Sequence, residues 1–257
     1  MRLRDYKYID TYLDLLAADI DERMLQQSYK MIPEHLELAL DAYRWLEGFK
    51  LDYTRVLDVG CVDGTLVKYF NQSAKQATGL TVNPQEVALC RASGLEVIQA
   101  DMNFMPVEEK CFDLIWCRDT LEHTVMPLLT LFEFNRILKP GGYLVAIVPK
   151  PGFWTSAANH YSVLTDENWR WLMQRAGFQL IQFDKKREIG GEYRYLCQKK
   201  AHILNSGEAK SVKIHNVIPF EERTFTKKFY QENYLIKLYR YLRHYCRNIL
   251  IGKSPER

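Results

Sequence analysis

The sequence predicts an α/β fold: a doubly wound, mostly parallel seven-stranded sheet with a terminal antiparallel hairpin, N-terminal helices and a C-terminal helical extension. Three observations predict it. Short apolar, β-branched runs alternate with amphipathic helical runs, the pattern of parallel strands joined by crossover helices. The stretch Val56–Phe70, VLDVGCVDGTLVKYF, joins a strand, a glycine turn and a helix, which is how an open α/β sheet builds a ligand site beyond the carboxyl ends of its strands. Tyr143–Val148 is apolar without interruption, as a strand covered on both faces requires. The expected organisation is a helical cap over 1–50, the ligand-binding α/β domain over 51–200, and a polar linker with a basic amphipathic helix over 201–257.

Residues 1–50 read as helices. Leu13, Leu16, Ile20 and Met24 repeat at helical spacing, as do Leu36, Leu40, Tyr43 and Leu46, with Pro33 between the runs and Gly48 after the second. Tyr6, Tyr8, Tyr12 and Tyr29 lie here, on a segment that serves either as a lid over a ligand or as a cover for one sheet face. Val56–Val59 is the first strand, Gly60–Gly64 the turn, and Thr65–Phe70 opens a helix with Leu66, Val67 and Phe70 at helical spacing. Glycines fall at Gly60 and Gly64 only, so the G-x-G-x-x-G dinucleotide pattern is absent, and Thr65 stands where a P-loop has lysine. Asp58 and Asp63 place two carboxylates in the loop with no cation beside them in the chain. That suits a ligand that brings an ammonium or another positive centre.

The second strand is Gln76–Thr81, with Asn83 as the following N-cap and Pro84 as the first helical residue. The third is about Glu96–Ala100, and Asp101 and Met102 follow it at the ligand edge. The fourth, Phe112–Cys117, delivers Arg118, Asp119, Glu122 and His123 to the same edge. Leu128–Leu138 is an amphipathic helix, closed by a turn over Lys139–Gly142 that leads into the fifth strand. Pro149–Leu164 is a long loop carrying Trp154, Asn159, His160 and Tyr161, and a loop of this length usually has a function. Asp166–Ala176 is a helix capped by Thr165 and ended by Gly177; Gln179–Phe183 and Tyr193–Gln198 then form a hairpin.

Composition sets the broad class. The chain has 257 residues, 47% hydrophobic and 26% charged, as in an ordinary soluble globule. Its six cysteines include no C-x-x-C pair, so no metal site or disulfide framework is signalled and a reducing compartment, the cytoplasm, is expected. Acids and tyrosines interrupt the N-terminus, unlike a signal peptide, and no apolar run is long enough for a bilayer. A net charge of +3 is too small to indicate nucleic acid, and no recognisable nucleic-acid module is present. Phe225–Ile251 combines a stripe of Tyr234, Leu238, Tyr241, Tyr245 and Ile249 with one of Lys237, Arg240, His244 and Arg247. Such a helix docks on its own domain, joins a homodimer or lies on an anionic membrane surface.

Asp58-Val59-Gly60-Cys61-x-x-Gly64, then Phe112-Asp113-x-Ile115 with Leu121-Glu122-His123, then Leu138-Lys139-Pro140-Gly141-Gly142 arrive in a familiar order. From Leu51 to about Lys200 the chain resembles class I (Rossmann-like) S-adenosylmethionine-dependent methyltransferases, in their small-molecule, type 11/12-like branch. The resemblance implies S-adenosyl-L-methionine as cofactor, a molecule with an ammonium, a sulfonium and no phosphate. It implies cofactor contacts at Asp58, Gly60, Cys61, Gly64, Thr81, Asp101, Met102 and Arg118, with Asp101 accepting from the adenine amino group. It also implies a terminal antiparallel strand inserted in the sheet, which the hairpin supplies. The sequence departs from the pattern at two places. Val62 replaces the loop's middle glycine, and the second strand ends Gly79-Leu80-Thr81 instead of in the acid that receives the ribose. That ending is similar to the one in methyltransferases like the cyclopropane fatty-acid synthases, and it leaves Thr81 or Asn83 to meet the ribose. Expected substrate contacts are Tyr12, Tyr29, Asp119, Trp154 and Tyr161. His123 and His160 are candidate catalytic bases, because imidazole titrates near neutrality; otherwise they only shape the pocket wall. The implied reaction is methyl transfer to a small-molecule or carrier-linked acceptor, first of all O-methylation of a sugar or secondary metabolite. A C-methyl or cyclopropane-type enzyme, an N-methyltransferase and a non-catalytic cofactor-binding scaffold are the alternatives.

Overall fold

The computed structural model describes residues 31–152, 160–185 and 191–200. Tyr6, Tyr8, Tyr12, Tyr29, Trp154, Asn159 and the expected C-terminal helix lie outside the described residues. Helix α1 (Pro33–Glu47) precedes strand β1 (Arg55–Val59), helix α2 (Thr65–Gln72), strand β2 (Gln76–Thr81), helix α3 (Pro84–Ala92) and strand β3 (Val97–Gln99). Strand β4 (Phe112–Arg118), a 3₁₀ turn (Leu121–His123), helix α4 (Pro127–Ile137), strand β5 (Leu138–Pro149), helix α5 (Asp166–Arg175) and the hairpin strands β6 (Phe178–Lys185) and β7 (Glu192–Lys199) follow. The sheet has seven strands in the order β3-β2-β1-β4-β5-β7-β6. β1 to β5 run parallel, and β7 is antiparallel to both β5 and β6.

Alternation along the central strands divides the core into two layers. In β4, Ile115 and Cys117 join Leu131, Phe134, Trp169 and Met173 of α4 and α5 on one face. Leu114 and Trp116 join Leu46 of α1 and Val67 and Phe70 of α2 on the other. Phe70 and Trp116 meet edge-on with ring centroids 5.7 Å apart, a favoured aromatic geometry. β5 divides in the same way, with Leu144, Ala146 and Val148 in the first layer and Val145 and Ile147 in the second. That is why its sequence is unbroken apolar rather than alternating with polar residues.

Two elements differ from the sequence expectation. The buried stripe of α1 is Ala39, Ala42 and Leu46; Leu36, Leu40 and Tyr43 are only half-buried. Lys139–Gly142 is not a turn before β5 but lies within it. Phe112 pairs with Leu138 and Leu114 with Tyr143, so the extra residues form a bulge. Gly141 takes φ +76° there, and a Cβ on Gly142 would stand 3.0 Å from the carbonyl oxygens of Asp113 and Lys139.

The chain builds outward from β1 to β3 and returns to β4 beside β1. The carboxyl ends of β1 and β4 therefore flank the topological switch point, where open α/β sheets bind ligands. Among the described residues no helix is long and apolar enough to cross a membrane, and Cys61, Cys90, Cys111, Cys117 and Cys197 are free thiols.

Candidate active site

The loop after β1 lies at the switch point. Gly60 takes φ +78° and donates its N–H to the Leu80 carbonyl at 2.8 Å. Thr120, two residues beyond β4, fits beneath it: a Cβ on Gly60 would lie 2.2 Å from Thr120 Oγ1. That hydroxyl is held by the carbonyls of Val59 and Arg118 at 3.1 and 2.9 Å. Val62 takes φ +52° although it is β-branched. The backbone thus keeps a conformation natural to glycine, at a cost of about 1–2 kcal/mol. Gly64, at φ +75°, has no room for a Cβ, which would meet Leu95 Cδ1 at 2.4 Å. Asp63 Oδ1 accepts the Thr65 N–H at 3.1 Å and the Thr65 hydroxyl at 2.6 Å, closing the first turn of α2. The Cys61 side chain is buried in the core beneath Gly79, so Cys61 offers a ligand only its backbone.

Asp58, at the inner end of β1, is buried, and burial pushes its carboxyl up from 3.8 to about 7. The Arg118 guanidinium opposes the shift and Asp63 adds to it. Because the folded value lies above the unfolded one, the stability linked to this group is fully present below 3.8 and is lost as pH rises through about 7. Between pH 5 and pH 8 this group is expected to lower the stability of the ligand-free protein by about 2–3 kcal/mol. Urea unfolding of wild type and Asp58→Asn at both pH values checks it; an equal pH dependence in the two proteins would contradict the assignment.

At the end of β2 the Thr81 hydroxyl donates to Glu86 Oε2 at 2.5 Å and accepts the Asn83 N–H at 3.1 Å. Asn83 Oδ1 caps α3 through the N–H groups of Gln85 and Glu86. Glu86, on the first turn of α3, thereby brings a buried carboxylate to the strand end that lacks one. Sequence reasoning missed this residue; its position three after the N-cap, where a capping-box acid stands, is the signal it carried. After β3, Asp101 accepts the Asn103 N–H at 2.8 Å and its side-chain amide at 2.9 Å, and burial raises its carboxyl. Met102 packs half-buried against the first core layer.

Arg118 is nearly buried. Its Nη2 lies 2.9 Å from Asp119 Oδ2 and 3.7 Å from Glu192 Oε2. Glu192, at the start of β7, also holds Arg194, which reaches Asp41 of α1 at 2.8 Å. This ionic chain was not legible, since it links three elements far apart in sequence. Arg118 acts on Asp58, Asp119 and Glu192, so carboxylates outnumber this cation at the edge.

The 3₁₀ turn after β4 brings the histidines together. Ser162 donates its N–H to the Glu122 carbonyl at 2.9 Å and its hydroxyl to the Thr124 carbonyl at 2.6 Å. These bonds fasten the segment after β5 to the turn after β4. His123 and His160 then meet edge-on, with ring centroids 4.8 Å apart. Glu122 beside them is buried, and burial, then Asp119, raise its carboxyl well above the usual range. Tyr161 is exposed next to this pair. The structure therefore groups Asp58, Gly60, Gly64 and Arg118 on one side of the switch point and His123 with His160 on the post-β4 turn. Thr81 and Asp101 lie at the neighbouring strand ends.

Residues 57–146 match the family described as a methyltransferase domain. A ubiquinone biosynthesis O-methyltransferase from Xanthomonas oryzae pv. oryzae is 36% identical over 97 residues, 35% of this chain and 41% of that protein. A protein of the same name from Bordetella avium is 31% identical over 114 residues, 42% of this chain and 47% of that protein. The chain thus spans less than half the length of these relatives. A crystal structure of an S-adenosylmethionine-dependent methyltransferase from Aquifex aeolicus superposes with a TM-score of 0.52 at 22% identity, covering 62% of this chain and 89% of that one. At this identity the likeness concerns the fold, and it agrees with the strand order described above. Over residues 57–146 the chain carries a methyltransferase domain of the class I, Rossmann-like type.

Proposed function

We propose that the protein is an S-adenosylmethionine-dependent methyltransferase that acts on a hydroxyl oxygen of a small molecule. The observation that carries the reading is the charge of the loop site. Asp58 and Asp63 flank a glycine turn with no lysine, and the guanidinium that acts on Asp58, Arg118, is shared with Asp119 and Glu192. Pyrophosphate would meet repulsion there, whereas an ammonium would bring Asp58 the counter-charge that burial denies it. When bound, S-adenosylmethionine supplies a methyl group already activated for in-line transfer.

The chain's own residues supply the rest. The turn at Gly60 and Gly64 admits the cofactor close to the backbone. Glu86 and Thr81 offer a carboxylate and a hydroxyl at the end of β2 for the ribose, and Asp101 offers an acceptor for the adenine amino group. Most of the acceleration comes from holding the acceptor oxygen against the methyl carbon, with its proton taken up at the His123–His160 cluster. The name of the matching relatives, an O-methyltransferase of ubiquinone biosynthesis, supports oxygen as the acceptor atom. It does not distinguish a sugar from another hydroxylated metabolite.

Calorimetric titration with S-adenosylmethionine and, separately, with NAD⁺ tests the reading. Micromolar binding of the first and none of the second is expected, followed by transfer of labelled methyl to hydroxylated metabolites. A folded protein that binds no S-adenosylmethionine would refute it and favour a scaffold role, with Val62 crowding the site.

A further inference from the structure

We infer that Glu122, His123 and His160 form a binding site for a divalent transition-metal ion, zinc-like in its ligand preference, on the acceptor side of the switch point. One carboxylate oxygen and one nitrogen from each imidazole lie within 4.8 Å of one another. In a tetrahedral shell two ligands each about 2.1 Å from the ion stand about 3.4 Å apart, so side-chain rotations that bring the donors closer by up to about 1.4 Å close the set. Two imidazoles and one carboxylate are a donor set for zinc, iron, nickel and copper rather than for magnesium or calcium, which prefer all-oxygen shells.

A second, independent observation concerns Glu122 itself. Its side chain is 1% exposed, and its Oε2 has no hydrogen-bond partner among the described residues. An unpaired carboxylate oxygen in such a place costs stability unless a cation or donor meets it. Arg118 acts on Glu122 but is shared with Asp119 and Glu192, and Asp119 repels Glu122. An ion held by the two histidines would sit beside this oxygen. The scaffold is also built to hold the ligands together. Glu122 and His123 are consecutive on one turn, and the two Ser162 bonds bring the chain around His160 onto that same turn. The sequence signals nothing of this kind, because the third ligand reaches the cluster only through that long-range fastening.

Three protein ligands leave coordination positions open. An acceptor hydroxyl bound there would be acidified and oriented, which gives the histidines a role in proton removal through the ion. That consequence rests on the methyltransferase reading; the metal site does not.

The test uses the untagged full-length chain, treated with chelator, dialysed and titrated with Co²⁺. One ion per chain, visible d–d absorption of a low-symmetry site and displacement by Zn²⁺ are expected. Glu122→Gln and His160→Ala should each weaken Co²⁺ binding by at least about tenfold, while S-adenosylmethionine titration reports that the cofactor side is intact. Absence of stoichiometric Co²⁺ binding, or binding unchanged in the His123→Ala/His160→Ala double variant, would overturn the proposal. Loss of S-adenosylmethionine binding with Co²⁺ binding retained would overturn the methyltransferase reading instead.

Discussion

Gly60→Ala is expected to weaken S-adenosylmethionine binding by at least about a hundredfold. The substitution acts in two ways. A Cβ at φ +78° places an L-residue in the left-handed region, at about 1–2 kcal/mol. The same Cβ would meet Thr120 Oγ1 at 2.2 Å, Cγ2 at 2.9 Å and Cβ at 3.1 Å, so no rotation of Thr120 clears it. Moving Thr120 also breaks the hydroxyl's contacts with the Val59 and Arg118 carbonyls, about 1 kcal/mol more. The sum, about 2–3 kcal/mol, corresponds to roughly a hundredfold in affinity if the loop shifts to relieve it. Gly94→Ala separates the two causes. Gly94 takes φ +72° with nothing within 4 Å of the added Cβ, so its alanine variant carries the strain without the clash. It should lose about 1 kcal/mol of stability and keep its affinity for S-adenosylmethionine. Equal cofactor affinity in Gly60→Ala and wild type, by calorimetry, would show that the loop does not face the cofactor.

The difference between these two glycines also shows what the sequence could and could not convey. Gly60 is recognisable because it follows an apolar strand and precedes a helix. Thr120, which makes a side chain there intolerable, lies in a different loop and has no local signature. The same division holds elsewhere. The strands were legible because their side chains alternate between two buried layers, and β2 occupies Gln76–Thr81 as the pattern predicts. Lys139–Gly142 misled because proline and two glycines normally mark a turn, whereas here they accommodate a bulge inside β5. Local propensity cannot reveal that the partner strand continues alongside. The places of Asp58 near the end of β1 and of His123 on the turn after β4 were legible from the strand pattern. Relations between them were not. The contact of Thr81 with Glu86, the hold of Glu192 on Arg118 and the meeting of His123 with His160 each depend on tertiary register.

Alanine at both His123 and His160 is expected to lower kcat for a hydroxylated acceptor by about 100- to 10,000-fold, the range for loss of proton transfer in the transition state, with S-adenosylmethionine affinity unchanged. The separation of effects follows from the geometry. The histidines meet each other on the turn after β4, while the loop contacts at Gly60 and Gly64 belong to the end of β1. If one imidazole acts as a free base, the pH profile of kcat should fall on the acid side near neutrality, and the single variant lacking that base should lose the limb. If the pair instead holds an ion, activity of chelated enzyme should return on adding Zn²⁺ or Co²⁺, and each single variant should fail alike. Full activity in the double variant would mean that the acceptor sheds its proton before transfer. An amine does so in water, and that outcome would replace the hydroxyl by a nitrogen as the methylated atom.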